Sequence, residues 1–398
     1  MCAQWDEIAP IAAIVVTLAA TEAAVLVAGA LRSRDYHRFE NRNASIISDK
    51  FPLPNADLPA LEIRRKSLSS ALDEVYKAAG DAQTRYFNNV VRSAACLVLA
   101  FLCLAIGAFL AQRGAPPSAP SNAAAPELVL SWIETIAIIA VLLLYWRGRA
   151  ASTPWIRKRT EAEFLRQFQI LSVIFPSGFS IKPDDDLINH FLTEKTRISN
   201  DVLRGDLSEI AARVQRFWTA RMNSIKAAAL TDADVTPEGI LLYVRKRAVR
   251  QLGWFMDSAQ RLEHITKRRG LFLVGLYCLA AALALIKHIL ALCHGAPPPH
   301  LAAMLLIVTG LSAAMTAYYV NQNSRSLIHR YNTQRRFIED WLRNFNDSMP
   351  FSTLNHHPMD AASKASARIE ILRFEEIMIG ELVDWISITT HDSIELAP

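Results

Sequence analysis

GLFLVGLYCLAAALALIKHILALCHGAPPPHLAAMLLIVTGLSAAMTAYYV, residues Gly270–Val320, holds two apolar runs around a short Gly/Pro turn, Cys293–His300. Each run has about twenty residues, enough at 1.5 Å per residue to cross a hydrocarbon core of about 30 Å. Lys267, Arg268 and Arg269 precede the first run. Arg325, Arg330, Arg335 and Arg336 follow the second, and the turn carries neither Lys nor Arg. That asymmetry predicts a transmembrane hairpin with both ends on the cytoplasmic side. The expected spans are residues 270–292 and 301–320.

Working outward, the same plan occurs earlier in the chain. A helix from about Leu61, with Leu68, Leu72, Val75 and Ala79 on one stripe, leads into an apolar run at Ser93–Ala111. Gln112–Glu127 is a Pro/Ala/Ser turn, and Leu128–Trp146 is a second run ending in Tyr145-Trp146 before Arg147 and Arg149. The turn text GAPP recurs at Gly114–Pro117 and Gly295–Pro298. FLRQF at Phe164–Phe168 is answered by WLRNF at Trp341–Phe345. Repeated phrases in the same order indicate an internal duplication of the hairpin.

The fold class expected is all-α, an integral membrane protein of two transmembrane hairpins whose long cytosolic helices form a bundle. Residues 1–60 hold an apolar helix and a Pro-rich connector. Ile8–Leu31, with Glu22 at its centre, reads equally as a span with its N-terminus outside or as an Ala-rich helix on the cytosolic part. Residues 61–175 form the first hairpin unit, ending in a basic helix from Pro154 to Phe175. Residues 176–235 are a cytosolic helical linker, in which Asp184–Asp186 start one helix and Asp206 a second with Ile210, Val214, Phe217 and Met222 inward. Residues 236–350 are the second hairpin unit, opened by the N-cap pair Thr236-Pro237. Residues 351–398 hold a closing helix, Lys364–Ile388, with Ile369, Leu372, Met378, Ile379, Leu382 and Trp385 inward. Its Glu370, Glu375, Glu376 and Glu381 face out or meet a basic neighbour.

Composition narrows the function. The 398 residues are 52% hydrophobic and carry a net charge of +5, with a mean hydropathy of +0.16. The positive excess lies beside the apolar runs, where it sets topology and meets anionic lipid. No aromatic-basic motif accompanies it, so nucleic acid is not an expected partner. The five cysteines are scattered and make neither a disulfide framework nor a zinc pattern. HExxH, GxSxG, Walker A and CxxC are absent, so no catalytic set, metal site or cofactor is expected. His356-His357 and His391-Asp392 read as solvated loop residues rather than ligands.

Polar groups within the apolar runs are the candidate functional residues, because each is costly in lipid. Glu134, Lys287 and His288 lie in the outer parts of their spans. Thr309, Ser312 and Thr316 share one helix face. They either line a pore or make interhelical hydrogen bonds and snorkelling contacts. Gly107/Ala111 and Gly310/Ala314 are small-xxx-small pairs suited to helix packing.

Four stretches carry a family resemblance: Tyr243–Arg269 (YVRKRAVRQLGWFMDSAQRLEHITKRR), His329–Phe345 (HRYNTQRRFIEDWLRNF), Glu370–Trp385 (EILRFEEIMIGELVDW) and Thr153–Phe168 (TPWIRKRTEAEFLRQF). Together they resemble the SLATT domains, the SMODS- and SLOG-associating two-transmembrane effectors of bacterial conflict systems. The resemblance implies a multi-pass protein of the bacterial inner membrane. It further implies an effector that permeabilises the bilayer on a nucleotide-derived signal of phage infection, received from a sensor fused to it or from a separate nucleotide-sensing partner. The apolar stripes of the cytosolic helices and the Gly310/Ala314 pair predict a homo-oligomer. This chain departs from that plan in having two hairpins and no GxGxxG-like nucleotide pocket. A small channel or transporter, and a membrane scaffold that recruits partners, are the competing readings.

Overall fold

The computed structural model describes residues 68–112, 125–181, 186–204, 206–227, 235–294, 299–321, 324–352 and 359–394, with Ile47, Phe51, Leu53 and Leu354. The expectations for Ile8–Leu31, most of the Pro-rich connector, both GAPP turns and His356-His357 fall outside these residues. So do the side chains of His391 and Asp392.

The fold is all-helical, with no strand among the described residues. In chain order the helices are α1 (Ser69–Gln112), α2 (Ala125–Ile174), α3 (Leu187–Arg197), α4 (Leu207–Ala227), α5 (Pro237–Tyr243), α6 (Val249–His294), α7 (Pro299–Asn321), α8 (Ser324–Ser348) and α9 (Ala361–Ile394). Wide π turns occupy Ile198–Val202 and Val244–Ala248. The second joins α5 to α6 without a break, giving one helix from Pro237 to Ile289 that is long and apolar enough to cross a membrane.

The local chemistry explains the boundaries. Thr236 is extended, its hydroxyl accepts the Gly239 amide at 3.1 Å, and Pro237 fills the first turn where no N–H is needed. Asp186 caps α3 in the same way through the Ile188 amide at 2.9 Å. Pro154 does not begin a helix as the sequence suggested; it lies inside α2. The ring removes one hydrogen bond, and the helix continues through it.

The chain forms two compact units. One comprises Met1–Arg38, Arg85–Arg149 and Gln260–Ile328; the other comprises Phe39–Thr84, Ala150–Ala259 and His329–Pro398. In the first, the apolar parts of α1 and α2 meet at Cys103 and Ile133, with Leu99 and Ile136 packed around them. Gly148 brings α2 close to Asn89 of α1, 3.8 Å from where a Cβ would sit. Cys96, Cys103 and Cys278 are free thiols.

The second unit is a helical bundle with a conventional core. Leu68, Leu72, Val75 and Ala79 are all buried, as are Ile210, Val214 and Met222 of α4. The two similar phrases occupy equivalent buried positions: Phe164, Leu165 and Phe168 in α2, and Trp341, Leu342 and Phe345 in α8. On α9, Leu372, Met378, Ile379, Leu382 and Trp385 point inward, but Ile369 is 60% exposed. Ala367 and Ile371 hold the buried stripe on either side of it, and a helical stripe has no room for every apolar residue.

Removal of the caps tests this account of the helix starts. Thr236→Ala and Asp186→Ala each lower stability by about 1 kcal/mol, read as a fall in the thermal midpoint of the purified protein, whereas Thr219→Ala, at an exposed position of α4, changes it by less than half as much.

Candidate functional site

The polar residues of the apolar helices divide by how they satisfy their hydrogen bonds. Within α7, Thr309 donates to the Leu305 carbonyl at 2.8 Å, Ser312 to Val308 at 2.7 Å, and Thr316 to Ser312 at 2.8 Å. Hydroxyls bonded one turn back are no longer orphaned. Thr316 also shares a 2.8 Å hydrogen bond with the Tyr277 hydroxyl of α6, a direct link between the two helices. Glu134 is half-buried in α2, Lys287 is half-buried and His288 exposed in α6. None of these three has a hydrogen-bond or ion-pair partner among the described residues, and Glu134 and Lys287 are not brought together. Gly107 and Ala111 lie in α1; Gly310, half-buried, and Ala314 lie in α7.

A second polar cluster, which the sequence did not single out, sits in the core of the bundle. It is built on the π turn Val244–Ala248, closed by the Val249 amide bonding to the Val244 carbonyl. π turns are uncommon insertions that recur at functional positions. Tyr243, the last residue of α5, and Arg247 of the turn, 0% and 2% exposed, face Glu375 of α9, which is 0% exposed. One Glu375 oxygen accepts from the Tyr243 hydroxyl at 2.8 Å and from Arg247 Nε at 2.9 Å. The other accepts from an Arg247 terminal nitrogen at 2.9 Å and from Gln167 Nε2 of α2 at 2.8 Å. The carboxylate is thus fully used, with a bidentate guanidinium as the main partner. Tyr243, Trp341 and Phe374 wall the cluster, with ring centroids 4.7 to 6.3 Å apart.

Glu163 extends the network, 3.7 Å from Arg247 and 3.2 Å from Arg166. Burial pushes its carboxyl up, yet Arg166, Arg247 and Arg159 together hold it below its ordinary value. Burial also opposes the charge on Arg247, and Glu375 more than restores it, so the guanidinium binds its proton more tightly than usual. The Tyr243 phenol is raised well above its ordinary value by burial and by Glu375.

A further layer uses the same helices. Arg159 of α2 lies over Trp385 of α9 at 4.4 Å and over Trp254 of α6 at 5.5 Å. Glu381 of α9 is bracketed by Arg330 of α8, at 3.5 Å. Burial pushes the Glu381 carboxyl up despite Arg159 and Arg330.

A signal for the buried cluster was present in the text. Glu375 falls on the apolar stripe of Ile371, Leu372, Met378 and Leu382, and Arg247 on that of Ile240 and Val244. Opposite charges on two buried stripes have to meet or be unfavourable. Among the described residues no group of His, Cys, Asp and Glu is placed to hold a metal.

Two predictions follow from this chemistry. Glu375→Leu leaves Arg247 buried without its counter-charge and lowers stability by about 3–5 kcal/mol. Replacing the set together (Gln167→Leu, Tyr243→Phe, Arg247→Met, Glu375→Leu) recovers most of that loss in the same thermal melts. The two other carboxyls respond to pH with opposite signs. The lowered Glu163 contributes stability above its unfolded value that is lost as pH falls through its folded one, so Glu163→Gln is destabilising at neutral pH and neutral in acid. The raised Glu381 favours the fold in acid and loses that contribution as pH rises through its folded value. Glu381→Gln therefore raises the thermal midpoint at neutral pH and leaves it unchanged in acid.

Comparison with protein-family models, with curated proteins and with solved structures returned no match.

Proposed function

We propose that the chain is a multi-pass membrane effector of the SLATT type, with two hairpins in the bacterial inner membrane and its helical bundle in the cytoplasm, which permeabilises the bilayer as a homo-oligomer on a signal from a separate sensor. The observation that carries the membrane part is the surface of α6. Leu271, Phe272, Val274, Tyr277, Leu279, Leu285, Ile286 and Ile289 are all exposed, and only 11% of the most apolar window is buried. A helix apolar on every side needs an apolar solvent. Exposed Trp132, Ile138, Ile139, Leu142 and Leu143 give α2 the same character.

Permeabilisation is supported by the polar residues in those helices. Glu134, Lys287 and His288 are unfavourable against lipid and become tolerable where assembly supplies a wet cavity. A sensor that binds the open assembly better than the closed one then shifts the population toward it. The resemblance supports the same reading, and residues from all four of its stretches meet around Glu375: Gln167, Tyr243, Arg247 and Trp341. The scaffold reading is favoured by one feature, an open cleft of about 380 Å³ lined by Lys226, Arg368, Ile369, Leu372, Arg373 and Glu376.

The test is potassium or dye leakage from cells expressing the chain with its neighbouring genes under phage challenge. Leakage is expected, and Glu134→Leu reduces it with membrane insertion intact. Sealed cells that remain protected would remove the permeability mechanism and favour the scaffold. Topology is checked separately: a Cys placed at Ser118 is labelled from outside the cell, and labelling only from the cytoplasmic face contradicts the two-hairpin arrangement.

A further inference from the structure

Four basic side chains flank the apolar helices without an ion-pair partner among the described residues. Arg147 follows the exposed Trp146 at the end of the apolar part of α2; Lys267 and Arg268 precede that of α6; Arg325 follows α7. All four are exposed, and none has an ion-pair partner among the described residues. The sequence supplies none nearby: no acidic residue occurs between Glu134 and Glu161, or between Glu263 and Glu339. This contrasts with the bundle, where Arg166, Arg213, Arg221, Arg335 and Arg343 each pair with a carboxylate.

Their placement is coherent within each hairpin. Tyr277 and Thr316 face each other across α6 and α7. Arg268 precedes Tyr277 by as many residues as Arg325 follows Thr316, so both lie at the same end of that hairpin. In the other hairpin Arg147 adjoins Gly148, the point of close approach to Asn89. An exposed Trp with an adjacent Arg, at the limit of an exposed apolar surface, matches the layer where headgroups meet acyl chains.

We propose that Arg147, Lys267, Arg268 and Arg325 form a headgroup-binding collar that selects anionic phospholipid over zwitterionic phospholipid. The proposal rests on the membrane reading above and adds the lipid class. A cation near an anionic surface gains about 1 kcal/mol, which is about fivefold in lipid affinity. Topology alone would need the charges but would give no preference between lipids once the chain is inserted.

The experiment reconstitutes the full chain in nanodiscs of mixed phosphatidylglycerol and phosphatidylcholine, and measures by native mass spectrometry which lipid remains bound. Phosphatidylglycerol is expected to be enriched at least fivefold over its bulk fraction, with the enrichment falling at high salt as the charges are screened. Each of Arg147→Gln, Lys267→Gln, Arg268→Gln and Arg325→Gln reduces it, the quadruple variant abolishes it, and Arg373→Gln in the other unit leaves it unchanged. Because the quadruple variant can disturb insertion, the single variants and the salt series on the unaltered chain are read alongside it. An inserted chain that binds the two lipids in their bulk ratio overturns the collar while leaving the spans intact. A chain recovered in solution without detergent or lipid overturns both.

Discussion

The bundle depends on the burial of one carboxylate. Glu375 is removed from water, and a lone buried charge would be costly enough to prevent the packing around it. Tyr243, Arg247 and Gln167 make burial tolerable by offering it four hydrogen bonds. The consequence is directional. Apolar stripes accept small rotations and slips, since one Leu contact resembles another. A bidentate guanidinium, a phenol and an amide converging on two oxygens do not. The junction therefore sets the mutual register of α2, the α5–α6 helix and α9, a specificity role for which buried ion pairs are better suited than for net stability.

The second layer makes the same helices interdependent through a different force. Arg159 lies over two indole rings rather than forming a close ion pair, so its charge is held by ring faces of Trp254 and Trp385. It also contributes to the fields at Glu163 and Glu381. Those carboxyls nevertheless respond in opposite senses. Glu163 has three arginines acting on it, which outweigh its burial. Glu381 has Arg159 and Arg330 in its favour but Glu163 and Asp384 against it, and burial prevails. Burial alone does not decide the sign; the count and distance of neighbouring charges do.

Much of the helical plan was legible because it rests on local chemistry. Thr236-Pro237 announces a helix start through a side-chain oxygen and a missing N–H, and the Leu68–Ala79 stripe announces a buried face through its period. Pro154 misled because a proline is equally suited to a first turn and tolerable within a helix held elsewhere. Ile369 misled because periodicity assigns a face approximately, and Ala367 and Ile371 already filled it. The π turn was not legible: VRKRA contains no residue that demands an extra position, and the carboxylate its Arg247 meets, Glu375, lies more than a hundred residues away. The candidate polar positions of the apolar helices were visible as polar residues in apolar runs, but whether each was satisfied depended on its bonds.

Under the proposed function that distinction decides which residues carry the energetic burden in lipid. Thr309, Ser312 and Thr316 return their protons to carbonyls of their own helix, so they remain satisfied whether or not α7 meets another chain. Thr316 adds Tyr277 and so fastens α6 to α7. Glu134 and Lys287 have no comparable local solution, because neither a carboxylate nor an ammonium is neutralised by its own backbone, and the His288 ring has no hydrogen-bond partner among the described residues. Under the proposed function these three, rather than the hydroxyl face, distinguish a closed from an open assembly. Their cost falls when neighbouring subunits or water reach them, and a difference in cost between two states is what allows a signal to select one of them.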